Sequence, residues 1–155
     1  MNENALKVEL EMRLAGAADL AALMLIDAEI APPSELPTHR RYFENWVADG
    51  ACWLAFVSGE PIGLAVLHRH FFHRDFVELL LVRPGWQGRS VGRAMLRRLC
   101  RLAEGPDLWI STNRSNARMQ HLLVSEGFDY TGIIEGMDEG DPELFYRRKV
   151  TLPNS

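Results

Sequence analysis

Cysteine is scarce in this chain, with two in 155 residues. Cys52 (Ala51-Cys52-Trp53-Leu54) and Cys100 (Leu99-Cys100-Arg101-Leu102) stand in apolar surroundings with no Cys-x-x-Cys spacing. They offer neither a disulfide framework nor a thiolate metal cage, and both read as packing residues. No apolar run approaches the roughly 18 residues that a membrane-spanning helix needs. The start, Met1-Asn2-Glu3-Asn4, lacks the basic-then-apolar order of a signal peptide, so no membrane partner is expected and the cytoplasm is the expected location. Basic residues are not in surplus either. Seventeen Lys and Arg against 21 Asp and Glu give a net charge of -4, which argues against nucleic acid as a partner. The P-loop pattern and the dinucleotide fingerprint Gly-x-Gly-x-x-Gly are both missing. With no repeat, low-complexity tract or Gly/Ser linker, residues 1–155 are expected to form a single domain, long enough to bury roughly two thirds of the surface its unfolded form exposes.

What is present is ordinary globular composition: 47% apolar, 25% charged and a mean hydropathy of -0.12. Lys7 to Leu14 alternates in the manner of a strand, and Asp19 is placed to cap a helix through Leu20, Leu23 and Ile26. Pro37-Thr38 offers a cap for a second helix with Tyr42, Phe43, Trp46 and Val47 on one face. Cys52 to Val57 and Ile62 to His68 form a hairpin around Ser58-Gly59-Glu60-Pro61. Phe76 to Val82 reads as a strand buried on both faces, interrupted by Glu78 alone. From Gly88 to Ala103, Val91, Met95, Leu99 and Leu102 recur at helical spacing. Leu108 to Ser111, a helix from Asn116 to Ser125, and strands at Thr131 to Ile134 and Leu144 to Val150 complete the pattern. The fold class is therefore α/β (α+β): a mixed sheet with about four helices and a strand-helix-strand crossover between Phe76 and Ser111.

The stretch from Leu81 to Leu96, LVRPGWQGRSVGRAML, carries the chemistry. A buried strand runs into a turn and then into a helix that opens with small residues. A helix start presents unpaired N–H groups and a partial positive charge, and small residues let those donors approach a phosphate. Arg89 and Arg93 add full charges at the same end, within a crowd formed with Arg83, Arg97, Arg98 and Arg101. The arrangement predicts a diphosphate ligand. The plainer alternative is that Gly88 and Gly92 serve only the turn and close helix packing.

These residues resemble the coenzyme motif of the GNAT acetyltransferase superfamily, in which Gln or Arg, two residues, Gly, one residue, and Gly or Ala follow a strand ending in Val-x-Pro. Gln87, Gly88, Val91 and Gly92 match, and Ser90 stands where the middle glycine is usual. Asn116 to Leu123, followed by Glu126-Gly127-Phe128, is similar to the family's second signature, and the order of elements agrees from Lys7 to Val150. The tail Met137 to Leu144 resembles that of uncharacterised bacterial members. The resemblance implies a mostly antiparallel sheet of six to seven strands, acetyl-CoA as co-substrate with no metal, and a small-molecule or peptide amine as acceptor. It also implies frequent homodimers and splayed fourth and fifth strands. The pantetheine arm would then pair with the backbone of Leu80, Leu81 and Val82, and the pyrophosphate would lie on Gln87, Gly88, Arg89, Ser90, Val91, Gly92 and Arg93.

Within that scheme the Val82 N–H polarises the thioester carbonyl, and Glu78 is the candidate base, since burial lifts a carboxyl toward a useful range. Glu78 turned into an ion pair with an arginine or histidine is the competing reading. The family's tyrosine acid falls at Leu123, so Tyr146 is the candidate acid, with Tyr130 and Tyr42 behind it. A thiol of pKa about 8.5 also leaves unaided. Asn116 caps its helix and is carried as a coenzyme contact, with Asn113 weaker. His68, His70 and His73 lack a cysteine or carboxylate pair to complete a metal set and are assigned to the acceptor pocket or its rim. Trp46, Trp53 and Trp109 are expected in the core, and Trp86 over the helix start. A catalytically inactive CoA-binding module of the same fold is the rival to a transferase.

Overall fold

The computed structural model of the protein describes residues 9–150. Along the chain run β1 (Leu10–Leu14), α1 (Leu20–Ala28), α2 (Leu36–Ala48), β2 (Cys52–Val57), β3 (Glu60–Phe71), β4 (Arg74–Val82), α3 (Val91–Leu102), β5 (Asp107–Asn113), α4 (Ala117–Ser125), β6 (Asp129–Ile134) and β7 (Glu143–Lys149). The strands form one seven-stranded mixed sheet in the order β1, β2, β3, β4, β5, β7, β6. β4 and β5 are parallel, with Asp75 opposite Leu108 and Val77 opposite Ile110. Parallel neighbours need a long connection, and α3 supplies it.

The chain gathers into two compact units, with β3, β4 and α3 contributing to both. The first comprises residues 9–67 and 79–98. Leu23 and Ile26 of α1, Phe43 of α2, Leu54 of β2, and Leu64 and Val66 of β3 form its core, and Leu79 and Leu81 of β4 pack against it. Each large aliphatic side chain buried there contributes about 1.5–3 kcal/mol. The second unit comprises residues 68–78 and 99–150, with Leu99, Leu108, Ile110, Leu123 and Tyr146 buried.

The elements follow the sequence closely, and the differences are local. Lys7 and Val8 of the expected first strand lie outside the described residues. Asp19 sits at the start of α1, but its carboxylate turns back to the Gly16 N–H (2.8 Å) and to Arg13 and does not cap the helix. α2 begins at Leu36, so Pro37 occupies the first turn, where its missing N–H costs nothing, and Thr38 is no cap. Tyr42 is 49% exposed and leaves the inner face to Phe43, Trp46 and Val47, its ring stacked with His39 and tilted against Trp46. β3 continues to Phe71, so the expected loop shrinks to a turn at Phe72 and His73, both with positive φ. α3 starts at Val91, three residues after Gly88. Trp46, Trp53 and Trp109 are half-buried. β4 is fully buried only over Asp75–Val77, and from Leu79 to Val82 it is half-buried.

Candidate active site

In the first unit, β4 delivers the chain to a tight sequence of turns. Pro84, with its φ fixed, starts a single 3-10 turn through Trp86. Gln87 is extended, Gly88 is left-handed at φ 76°, and Ser90 is left-handed at φ 62°. Ser90 therefore takes the backbone conformation that the motif's usual glycine takes freely. Its carbonyl accepts the first helical bond of α3, from the Ala94 N–H at 3.1 Å. Helix geometry leaves the first-turn amides without intrahelical carbonyls and gives that end its partial positive charge. Arg89 lies over the Trp86 ring at 5.1 Å, a cation–π contact that keeps a guanidinium beside the turn.

The same unit fixes the strand edge. The Arg83 N–H donates to the Ile62 carbonyl of β3 at 2.9 Å. Successive residues of a strand present their backbone groups to opposite edges, so Val82 and Leu80 face away from β3 while Leu81 faces it. Of the three expected pantetheine partners, Leu80 and Val82 present their groups to the edge of β4 away from β3, where the pairing with β5 among the described residues ends at Val77, and Leu81 does not. The Gln87 side chain donates to the Val82 carbonyl at 3.1 Å, which leaves the Val82 N–H as that residue's remaining backbone group on the edge. Gly63, which the sequence pattern does not single out, makes this geometry possible: a Cβ there would lie 2.7 Å from the Leu81 carbonyl oxygen and 2.9 Å from Met95 Sδ. Arg83 belongs to the framework. Its guanidinium binds Glu29 at 2.8 Å and Glu60 at 3.2 Å, and holds the Glu29 carboxyl below its usual range.

In the second unit, Glu78 is 44% exposed and accepts a hydrogen bond from His68 Nε2 at 3.0 Å. His68 is 11% exposed, and its Nδ1 accepts the His70 N–H at 3.0 Å. The histidine pairing weighed from the sequence is realised. The expectation of a buried Glu78 is corrected, because the strand's fully buried stretch ends one residue earlier at Val77. Phe76 pairs with Trp109, and Trp109 with Arg147. Paired residues share a face, so Phe76, Trp109 and Arg147 project to one side of the sheet, and Glu78, two residues on, projects with them. Val77, Ile110 and Tyr146 occupy the other side. Tyr146 and Glu78 are therefore on opposite faces of the sheet. Tyr146 is 4% exposed, and burial pushes its phenol above the ordinary value, with Tyr130 adding to the effect.

Asn116 caps α4, its Oδ1 accepting the Met119 N–H at 3.1 Å. Asn113 donates to Asp138 at 2.8 Å, and Asp141 accepts both the N–H and the hydroxyl of Ser115. The acidic segment between β6 and β7 thus folds onto the turn before α4. Burial pushes the Cys52 thiol up to about 12 and raises that of Cys100. Among the described residues no group of three or more His, Cys, Asp or Glu is placed to hold a metal ion, and no helix is long and apolar enough to cross a membrane.

The model of the acetyltransferase (GNAT) family matches residues 20–128. This chain belongs to that family. The family transfers acetyl groups and uses acetyl-CoA, and Gly88, Ser90 and the α3 start suit a coenzyme diphosphate. No curated protein matches the sequence. Among solved structures, a GNAT-family acetyltransferase from Bacillus cereus is 27% identical, with a TM-score of 0.82 over 93% of this chain and 99% of that one. A ribosomal-protein-alanine N-acetyltransferase from Brucella melitensis is 25% identical, with a TM-score of 0.69 over 90% and 99% of the two chains. A Salmonella typhimurium structure with its cofactor acetyl-CoA is 20% identical, with a TM-score of 0.68 over 94% and 96%, a likeness of fold.

Proposed function

We propose that this chain is a single-domain enzyme that transfers an acetyl group from acetyl-CoA to a primary amine of a small molecule or of a peptide, by direct attack. The observation that carries this reading is the clamp between Gln87 and Val82. It ties the left-handed turn to the strand edge, so the anion-binding helix start and the Val82 N–H are set by one short segment.

In this mechanism the amides of Ser90, Val91 and Gly92, with Gln87, Gly88, Arg89 and Arg93 around them, hold the diphosphate. Leu80 and Val82 pair with the pantetheine amides. The Val82 N–H polarises the thioester carbonyl and holds the oxyanion that forms as the amine attacks. Glu78 accepts the ammonium proton, directly or through water. Its exposed, singly bonded carboxylate suits that task. Tyr146, on the opposite face, is not required as an acid. The departing thiolate, with a pKa of about 8.5, leaves without one. The amide of Asn116 contacts the coenzyme while its oxygen caps α4. A cytoplasmic, dimeric protein with a peptide acceptor is the finer expectation, and the alanine acetyltransferase among its structural likenesses favours testing peptides first.

Isothermal titration with acetyl-CoA, CoA and NADH, repeated on Gly92→Trp, tests the first part. Binding of the two CoA species alone, lost in the variant, supports the site, and no binding of either defeats the reading. A panel then tests transfer by CoA release: a peptide amide with N-terminal alanine, a lysine peptide, spermidine and an aromatic monoamine. Buried Leu123, in the tyrosine's place, keeps an inactive CoA-binding module as the second reading, which tight binding with no turnover on any amine would favour.

A further inference from the structure

We propose that His68 is a positioning residue for Glu78, holding one carboxylate oxygen so that the other is presented to the acceptor amine. The inference rests on the acetyl-transfer reading for its purpose, but its geometry stands apart from it. His68 comes from the late part of β3 and Glu78 from the middle of β4. The His70 N–H donates to His68 Nδ1 at 3.0 Å. A nitrogen that accepts from a backbone amide carries no proton, so the neutral ring must carry its proton on Nε2. That nitrogen lies 3.0 Å from Glu78 Oε1. The backbone of β3 thus chooses the tautomer, and the tautomer chooses the oxygen.

The ring itself is held. His68 is 11% exposed, with the Phe76 ring 5.8 Å and the His70 ring 5.2 Å from its own. Phe76 is in turn stacked on Phe71 and Phe145. A rotamer fixed by packing delivers its N–H in one direction, which a mobile surface donor does not. Among the described residues the Glu78 carboxylate has no other hydrogen-bond partner. Its Oε2 therefore keeps its lone pairs for an incoming proton, and a carboxylate that would otherwise rotate at the surface is confined to one orientation. Proton transfer requires that alignment.

Long-range proton–nitrogen NMR of the His68 ring reads the tautomer with no acceptor present. A single Nε2–H form is expected. A rapidly exchanging pair of tautomers, or the Nδ1–H form, overturns the proposal. Kinetics then compare His68→Leu, which removes the donor, with His68→Gln, whose amide N–H reaches a similar point. CoA release is followed with whichever amine of the panel reacts fastest, or with water as acceptor where none does. His68→Leu is expected to lose about tenfold or more in kcat with little change in the KM for acetyl-CoA, and His68→Gln to recover most of it. In a Glu78→Gln background His68→Leu should have no further effect. Equal losses in the two His68 variants, or a full loss in the Glu78→Gln background, overturn the proposal. Failure of the wild-type protein to bind acetyl-CoA defeats the transfer reading instead, and the NMR result still decides the geometry.

Discussion

The carbonyl of Leu81 lies directly over Gly63, so closely that a single methyl group on the glycine would stand 2.7 Å from the oxygen. Backbone cannot swing aside as a flexible side chain does. Met95 Sδ, at 2.9 Å from the same point, closes the other direction. Gly63→Ala should therefore cost about 1–3 kcal/mol in urea unfolding, the usual range for overpacking. It should also weaken CoA binding, because the displaced strand includes Leu80 and Val82. Unchanged stability with unchanged affinity would show that the strand has room to move.

Ser90 pays for its conformation. A left-handed backbone costs an L-residue roughly 1–2 kcal/mol, and glycine recovers part of this against its own loss of chain entropy. Ser90→Gly should raise stability by about 0.5–1 kcal/mol, with CoA affinity kept or improved. Ser90→Val, branched at Cβ, should lower both. Thermal unfolding with and without CoA separates the two effects.

Asn116 offers a way to distinguish a cap from a ligand contact. Asn116→Ala should lose about 1 kcal/mol of stability, while Asn116→Asp keeps the oxygen that accepts from Met119 and so keeps the stability. If the side-chain amide also touches the coenzyme, Asn116→Asp should still bind CoA several-fold more weakly, measured by titration. Equal affinity would confine Asn116 to capping.

Acid sensitivity has an identifiable contributor. Arg13, and after it the Gly16 N–H, hold the Asp19 carboxyl down at about 2, below the roughly 3.9 of an unfolded aspartate. A carboxyl whose folded value is depressed adds stability above the unfolded value and loses it as pH falls toward the folded one. The contribution should therefore be complete at pH 5 and above, and disappear between about pH 4 and pH 2. Asp19→Asn should flatten the stability profile in that window alone, as followed by chemical denaturation at each pH.

How much of this the sequence contained depends on the range of the interaction. The strand-turn-helix around Gly88 and Ser90 was legible because local steric rules and the motif spacing act within a few residues. The α4 cap at Asn116 was legible for the same reason. What was not legible depended on register. Two-residue periodicity leaves a strand's face undecided, so whether Glu78 met His68 could be settled only by the contact between β3 and β4, and whether Tyr146 shared its side only by the pairing of Phe76 with Trp109 and of Ile110 with Tyr146. Gly63 carries no local signal at all, since a glycine in a strand looks the same whether it faces open space or a carbonyl. Asp19 and Thr38 were misread as helix caps because cap composition predicts a place in the chain, and a nearby arginine or proline decides how that place is used.

The hydrogen bond from Gln87 to the Val82 carbonyl closes a loop of chain on itself before any ligand arrives. A segment so tied has little conformational freedom left to surrender, so the entropy of ordering the turn is lost when the protein folds and not when the coenzyme binds. Cutting that tie with Gln87→Ala would transfer the loss to the binding step, and it would appear in calorimetry as a less favourable binding entropy.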